Sequence, residues 1–174
     1  MAPIDIRKDL KSLYSPSHKE FSIVEAPPLN FLMIDGHGDP NHAPQYQQAV
    51  EALYALAYPI KFALKKQGYD YVVPPLEGLW WMENMAEFSL ERKADWDWTM
   101  MIMQPEPVTA PLVGRVRSEV MAKKNMEALA RVRLEEYAEG LVVQILYYGA
   151  YADEGPTIAR LHAFAREQGY VLRG

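Results

Sequence analysis

The order of apolar and polar positions in the first part of the chain predicts two short strands and a long helix. Residues 21–25 alternate as a half-buried strand does, and residues 31–34 form a continuous apolar run. Two consecutive prolines separate these runs, so we expect one bent strand or two consecutive strands. The stretch 35–41 is rich in Gly, Asp and Pro and predicts a turn. The three- and four-residue spacing of apolar side chains over 43–68 then predicts a helix with one buried face.

The remainder of the chain predicts three further strands and two further helices. The pattern assigns strands to 74–82, 96–103 and 132–148, the last with a bend at Gly140, and helices to 109–129 and 154–168. Alternation within 96–103 sets Trp96, Trp98, Met100 and Ile102 on one face of that strand, and Asp97 and Thr99 on the other.

Two stretches of the chain share the same order of elements. A strand, a glycine-containing turn and a helix begin at residue 31, and the same order begins again at residue 142. We interpret this as an α+β fold of two duplicated βαββ units with antiparallel sheet, in which the second unit is missing its last strand. The predicted organisation is an N-terminal arm at 1–20 and one domain at 21–174, with halves at about 21–105 and 106–174.

Composition and charge narrow the class of protein. The chain has 174 residues, 49% of them hydrophobic and 24% charged, which suits one soluble domain with its own core. It has no cysteine, which excludes disulfides, thiol nucleophiles and iron–sulfur clusters. Neither a signal peptide nor a membrane-spanning run is visible, so we expect a cytoplasmic protein without a membrane partner.

The charge balance argues against nucleic acid as a direct partner. The chain has 23 acidic and 18 basic side chains and a formal net charge of −5, whereas phosphate neutralisation needs a basic surface.

Asp35, His37, Asp39 and His42 have the side chains of a metal site. We favour a turn whose side chains bond the local backbone, because no further cluster supports a metal. No nucleotide-binding motif is present, so neither a metal nor another cofactor is predicted.

The segment 76–81, Leu-Glu-Gly-Leu-Trp-Trp, is the most unusual in the sequence. It places the carboxylate of Glu77 three and four residues before the indoles of Trp80 and Trp81. A carboxylate among aromatic rings is partly desolvated, which suits a general base or a partner for a cationic ligand. The alternative is a solvated Glu77 at a strand end beside core tryptophans.

A second aromatic cluster lies near the end of the chain. Tyr148 and Tyr151 flank Gly149 at the end of a predicted strand. Core packing accounts for one tyrosine, while several together suit an aromatic-walled ligand cleft. Met100, on the predicted strand of Trp98, is either plain core or an adaptable pocket wall.

Several motifs resemble those of a known family, in order from about residue 8 to the end of the chain. They are Phe31-Leu32-Met33-Ile34-Asp35-Gly36-x-Gly38-Asp39-Pro40-Asn41, Leu53-Tyr54, Tyr58-x-Ile60-Lys61, Pro75-Leu76-Glu77-Gly78-Leu79-Trp80-Trp81, Trp96-x-Trp98-Thr99, Met101-Ile102, Glu139-Gly140 and Val143-Gln144. This set resembles the GyrI-like small-molecule-binding family, and most of all its stand-alone bacterial members. The resemblance implies a pseudo-twofold pair of βαββ units around a central ligand cleft.

The resemblance implies binding of bulky aromatic or apolar, in some cases cationic, small molecules. Our first hypothesis is a drug- or toxin-binding protein, with Glu77 as polar anchor and Trp80, Trp81, Trp98, Met100, Tyr148 and Tyr151 as ligand contacts. The second is a hydrolase that opens the strained cyclopropane of DNA-alkylating natural products, with Glu77 as base and Tyr151 as a proton donor. The third is a protein-partner role such as gyrase inhibition.

Two departures from the family pattern bear on these hypotheses. Tyr147 and Ala150 stand where family members usually have His and Pro. Family members also continue into a last strand whose Glu and Tyr face the cleft. Without that strand we expect an exposed sheet edge, through which the chain forms a homo-oligomer.

Overall fold

Helices and antiparallel strands alternate along residues 2–173, the part of the chain that the computed structural model describes. In chain order they are α1 (Ile6–Asp9), α2 (Lys11–Tyr14), β1 (Ser22–Ala26), β2 (Leu29–His37), α3 (Pro44–Lys66), β3 (Leu76–Trp81), β4 (Asp97–Gln104), α4 (Ala110–Met121), β5 (Arg133–Tyr137), β6 (Gly140–Gln144) and α5 (Gly155–Glu167). This mixture confirms the predicted α+β class with antiparallel sheet. Over the same residues, every helix is too short or too polar to cross a membrane.

The chain forms two compact units. One contains the residues up to Ile6 together with Leu29–Tyr137, and the other contains Arg7–Pro28 and the residues from Ala138 onward. This grouping differs from the predicted halves at 21–105 and 106–174, because β5 pairs with β2 and keeps the chain up to Tyr137 in the first unit. The pseudo-twofold relation between the predicted halves stays a prediction.

The first unit is built on a four-stranded antiparallel sheet with the order β3-β4-β2-β5. Helix α3 packs against one face of this sheet, and Pro44 begins the helix where its missing N–H costs nothing. The side chains that α3 buries recur every three or four residues: Ala49, Ala52, Leu53, Leu56, Ala57, Ile60 and Leu64. They meet Leu32, Ile34, Trp98 and Ile102 of the sheet in one apolar core.

The second unit contains a two-stranded antiparallel sheet, the short helix α2 and the longer helix α5. Strands β1 and β6 pair from Ser22↔Gln144 to Ala26↔Gly140. The Phe164 ring of α5 lies 5.4 Å from the ring of Phe21. Neither outer edge of this sheet has a partner strand within residues 2–173. The predicted homo-oligomer would use such an edge, and association itself stays a prediction.

Two predicted elements end earlier than expected. Helix α4 ends at Met121, so the prediction that it reaches 129 is wrong. The N–H groups of Lys123 and Lys124 both bond to the Val120 carbonyl in a turn, and Leu129 is buried from a separate 3-10 turn instead. The predicted strand over 132–148 is likewise two strands in different sheets, and residues 145–148 lie outside both.

Gly140 divides that predicted strand. Its φ of 74° lies in the left-handed region that favours glycine, and β6 begins there. The bend anticipated at this residue therefore separates β5 from β6. Strand β2, in contrast, continues three residues beyond 34, since Asp35, Gly36 and His37 pair with β4 rather than beginning the turn.

The residues before Arg7 belong to the first unit and are joined to it by backbone bonds. The predicted arm at 1–20 contains α1 and α2, and before them Ile4 forms a parallel bridge with Tyr71. The Ile4 amide donates to the Asp70 carbonyl at 2.9 Å. The Asp70 carboxylate in turn pairs with Lys65 at 2.9 Å and Lys61 at 3.1 Å, which joins Asp70 to α3.

The Asp70 cluster predicts a loss of stability in acid. Hydrogen bonds from Lys65 and Lys61 hold the pKa of Asp70 below its ordinary value of 3.8. Because the folded-state pKa is the lower one, the stabilisation is present above that ordinary value and is lost as the pH falls through the folded-state pKa. Asp70→Asn should therefore be less stable than wild type at pH 7 and equal to it below the folded-state pKa.

Urea unfolding at a series of pH values measures this difference. Lys65→Met should reproduce part of the effect of Asp70→Asn at neutral pH, since it removes the nearer of the two partners. Lys66→Met is the control, because the neighbouring Lys66 does not pair with Asp70. A pH-independent difference between Asp70→Asn and wild type would contradict the assignment.

Candidate functional site

The sheet of the first unit has two chemically different faces. Strand alternation sends Leu32, Ile34, Trp98, Met100 and Ile102 toward α3. We call the opposite face the far face; its side chains belong to Leu29, Phe31, Met33, Asp35, His37, Glu77, Leu79, Trp81, Asp97, Thr99, Met101, Met103, Arg133, Glu135 and Tyr137. The helix side is apolar core, whereas the far face combines apolar and charged groups.

Trp98 lies wholly on the helix side. Its side chain is 0% exposed, its ring makes an edge contact with Tyr46 of α3 at 5.4 Å, and its Nε1 donates to the Gly38 carbonyl at 3.2 Å. Gly36 leaves room for this ring, because a Cβ at that position would lie 2.1 Å from it. Trp98 is therefore a packing residue in this structure and offers no surface to a ligand.

Two more of the predicted contacts share the helix side. Met100 is 3% exposed within the core, and Gly78 of β3 packs against its sulfur atom. Trp80 is opposite Trp98 in register and lies 5.6 Å from the ring of Trp96. The strand pattern thus separates Trp80, Trp98 and Met100 from Glu77.

Glu77 and Trp81 are the predicted contacts that lie on the far face. In register Glu77 is opposite Met101, and Trp81 is opposite Asp97, with Leu79 between them on β3. The three β3 side chains are partly exposed, while Met101 is 3% exposed. A partly accessible carboxylate and indole therefore border a buried apolar floor.

A polar cluster crosses three strands of the far face. Thr99 Oγ1 donates to Asp35 Oδ1 at 2.6 Å, and Arg133 donates to both oxygens of Asp35 at 2.8 and 3.1 Å. Glu135 accepts a further bond from Arg133. Thr99 is only 4% exposed, so its hydroxyl needs this acceptor. The cluster holds the Asp35 carboxylate rigidly beside the apolar floor.

A histidine–carboxylate pair occupies the end of the same face. His37 Nδ1 lies 2.9 Å from Asp97 Oδ1, and the two residues are directly opposite in the ladder between β2 and β4. Their side chains are 62% and 40% exposed. With Trp81 on the other side of Asp97, the three residues form one row across the sheet.

The motif tested for metal binding is divided between strand and turn. Asp35 and His37 belong to β2, whereas Asp39 and His42 lie in the turn that follows, where His42 Nδ1 is 2.8 Å from Asp39 Oδ2. The Asn41 backbone N–H and the His42 side chain lower the pKa of Asp39. Over residues 2–173 no three His, Cys, Asp or Glu side chains come together as metal ligands.

The connection between β3 and β4 borders the row that contains Trp81 and Asp97. Phe88 stacks on Trp96 with ring centroids 4.7 Å apart, and Trp96 Nε1 donates to the Ser89 carbonyl at 3.0 Å. Arg92 pairs with Glu87 and with Asp95. These contacts hold the segment that leaves the sheet after Trp81 and returns at Asp97.

The two predicted tyrosine contacts belong to the second unit. Tyr148 is 72% exposed and makes an edge contact with His18 at 5.5 Å, and Tyr151 is 81% exposed at the start of a 3-10 turn. Both phenols are accessible. Their predicted role in ligand binding, and that of Tyr151 in proton donation, stay predictions.

Sequence reasoning did not single out Leu79, Arg133 or Asp97 as site residues, and it assigned Asp35 and His37 to a turn. Alternation around Glu77 could have indicated Leu79, since it is two residues along the same strand. The polar pairs join positions 98 and 60 residues apart, and no local pattern in the sequence predicts such partners.

Comparison with solved structures finds close relatives of this fold. An uncharacterized conserved protein from Listeria innocua is 38% identical, with a TM-score of 0.88 over 95% of this chain and 82% of that one. A hydrolase from Listeria innocua is 36% identical, with a TM-score of 0.82 over 95% of this chain and 85% of that one. A second hydrolase from that organism is 37% identical, with a TM-score of 0.84 over 97% of this chain and 82% of that one.

The comparison with protein families agrees with the resemblance found in the motifs. No curated protein matches the chain closely enough to count as a relative. The model of the GyrI-like small molecule binding domain matches residues 19–174, which includes both compact units almost entirely. The chain therefore belongs to the GyrI-like small-molecule-binding domain family.

Proposed function

We propose that the far face binds bulky aromatic molecules, and that it prefers those with a positive charge. The observation that carries this proposal is the alternation of the partly exposed Glu77, Leu79 and Trp81 along β3, beside the buried Met101. The partly exposed Leu79 offers apolar contact above the buried Met101, and Trp81 offers a ring face for stacking. Small-molecule binding as such follows from the family.

The charges of the far face support the preference for cations. Its carboxylates belong to Asp35, Glu77, Asp97 and Glu135, and they outnumber the guanidinium of Arg133. A planar cation over Trp81 also gains from the negative ring face.

Tyr148 and Tyr151 of the second unit are also proposed as stacking contacts for an aromatic ligand, because their rings are exposed. Single substitution of each ring tests this role.

A fluorescence titration tests the proposal. The protein is titrated with a planar aromatic cation and with a neutral molecule of the same shape, and each mixture is then analysed by mass spectrometry. We expect saturable quenching by both compounds, with the lower Kd for the cation. Absence of saturable quenching by either compound would contradict ligand binding at this face.

Hydrolysis is the second candidate function, because two similar solved structures are described as hydrolases. The proposed substrates are apolar aromatic molecules with a strained cyclopropane. The sequence hypothesis makes Glu77 the base and Tyr151 the proton donor. The same mass spectra decide between the candidates. Unchanged ligand mass supports binding alone, whereas a product heavier by one water supports hydrolysis.

A further inference from the structure

The far face contains a second group that could act as a base, at a distance from Glu77. His37 ends β2 and Glu77 lies on β3, which are separated by β4. Trp81 is the β3 residue in the same row as His37, and Glu77 lies four residues before it. The spacing of two strands across the sheet and the rise of four residues along it put the Cα atoms of His37 and Glu77 about 16 Å apart. One substrate atom therefore cannot be within hydrogen-bond distance of both side chains.

The geometry of His37 is that of an oriented general base. Asp97 Oδ1 lies 2.9 Å from Nδ1, and a carboxylate there favours the tautomer with its proton on Nδ1. Nε2 then has its lone pair available to accept a proton. His37 and Asp97 stand on paired strands, and the His37 amide donates to Gln45 Oε1 at 3.4 Å. The backbone positions of both residues are therefore fixed by hydrogen bonds.

The surroundings of the dyad also suit a reacting group. His37 is 62% exposed, so a substrate can reach Nε2. Trp81 lies in the same row, and the segment joining β3 to β4 begins and ends beside that row. A flat molecule stacked on Trp81 would bring an atom of its near edge toward Nε2.

We propose that the His37–Asp97 dyad, and not Glu77, is the general base of a hydrolytic reaction on the far face. The proposal rests on the hydrolase candidate above. It gives Glu77 the role of holding the distant end of the substrate. Asp97 is a positioning residue that acts through His37.

The proposed reaction is a net addition of water to a cyclopropane, which needs conjugation with an electron acceptor such as a dienone so that the ring bond can break. His37 Nε2 accepts a proton from water as the water oxygen bonds to the ring CH2. The ring C–C bond breaks, and its electron pair moves through the dienone to the carbonyl oxygen. The imidazolium returns the proton, directly or through solvent, and the product is a phenol. No oxidant or other reactant is consumed.

Variants of His37 test the proposal with a planar probe that carries a spiro-fused cyclopropane on a dienone, since phenol formation changes its absorbance. His37→Gln should lower kcat about 100-fold, the usual range for loss of a general base, with little change in probe binding. His37→Ala should lose activity similarly and regain part of it with added imidazole, which a structural role would not permit. Asp97→Asn should lower kcat more than it changes KM.

The chain contains a matched control in the turn after β2. His42 pairs with Asp39 at 2.8 Å in the same manner but stands outside the far face, so His42→Gln should keep wild-type turnover. Turnover that survives in His37→Gln and disappears in Glu77→Gln would overturn the proposal and support Glu77 as base. Binding of the probe without turnover by wild type would overturn both the dyad and the hydrolase candidate, while ligand binding on the far face would stand.

Discussion

Gly36→Ala is expected to lower the free energy of unfolding of the first unit by about 3 kcal/mol, at the upper end for overpacking a core. The added Cβ would lie 2.1 Å from the ring of Trp98. That ring is 0% exposed and held by Tyr46 and by its bond to Gly38, so it can move only at the expense of these contacts. Relief requires the indole or β2 to shift.

Gly114→Ala is the matched control for this substitution. Gly114 lies within α4, and a Cβ there would have nothing within 4 Å. Alanine in a helix should stabilise the protein by about 0.5–1 kcal/mol, so the two variants should change stability in opposite directions. Urea unfolding followed by Trp fluorescence measures both, because Trp80, Trp81, Trp96 and Trp98 all belong to the first unit. Equal stability of Gly36→Ala and wild type would contradict the packing of Trp98.

Glu77→Gln is expected to weaken binding of a planar aromatic cation about tenfold, with little effect on a neutral molecule of the same shape. The substitution keeps the size of the side chain and removes its charge, and a hydrogen bond or ion pair with a charged partner contributes about 1.5 kcal/mol. The tenfold loss should diminish at high salt, because Glu77 is only partly buried.

Glu136→Gln controls for the change in net charge. Glu136 lies on β5 opposite Asn30, which places it on the other face of the same sheet. Binding of the cation should therefore be nearly unaffected by this variant. An equal loss of affinity in both variants would show a general effect of charge and contradict a specific contact with Glu77.

Local signals in the sequence predicted α3 and the alternation of β4 correctly. Proline at the start of α3 and Gly68 after its end are both in the residue sequence, and the observed helix lies between them. The alternation around Trp98 correctly separated this side chain from Thr99. Such features depend on neighbouring residues, so they are visible without the fold.

Alternation could not show which face of a strand a helix covers. Trp98 and Trp81 are both aromatic residues in apolar strands, yet α3 buries one and leaves the other on the far face. For this reason the sequence suggested both as ligand contacts. The polar groups of the site were missed for a related reason, because Asp35 meets Arg133 only when β2 pairs with β5.

The central claim is that ligands bind on the far face, and Trp81 is the indole that reports on it. Of the four tryptophans, Trp80 and Trp98 point toward α3, and Trp96 packs against Phe88. The most direct measurement is the fluorescence titration with the planar aromatic cation, repeated for Trp81→Phe and Trp96→Phe. We expect most of the ligand-dependent quenching to disappear in Trp81→Phe and to persist in Trp96→Phe. Full quenching in Trp81→Phe would place the ligand elsewhere and contradict the account.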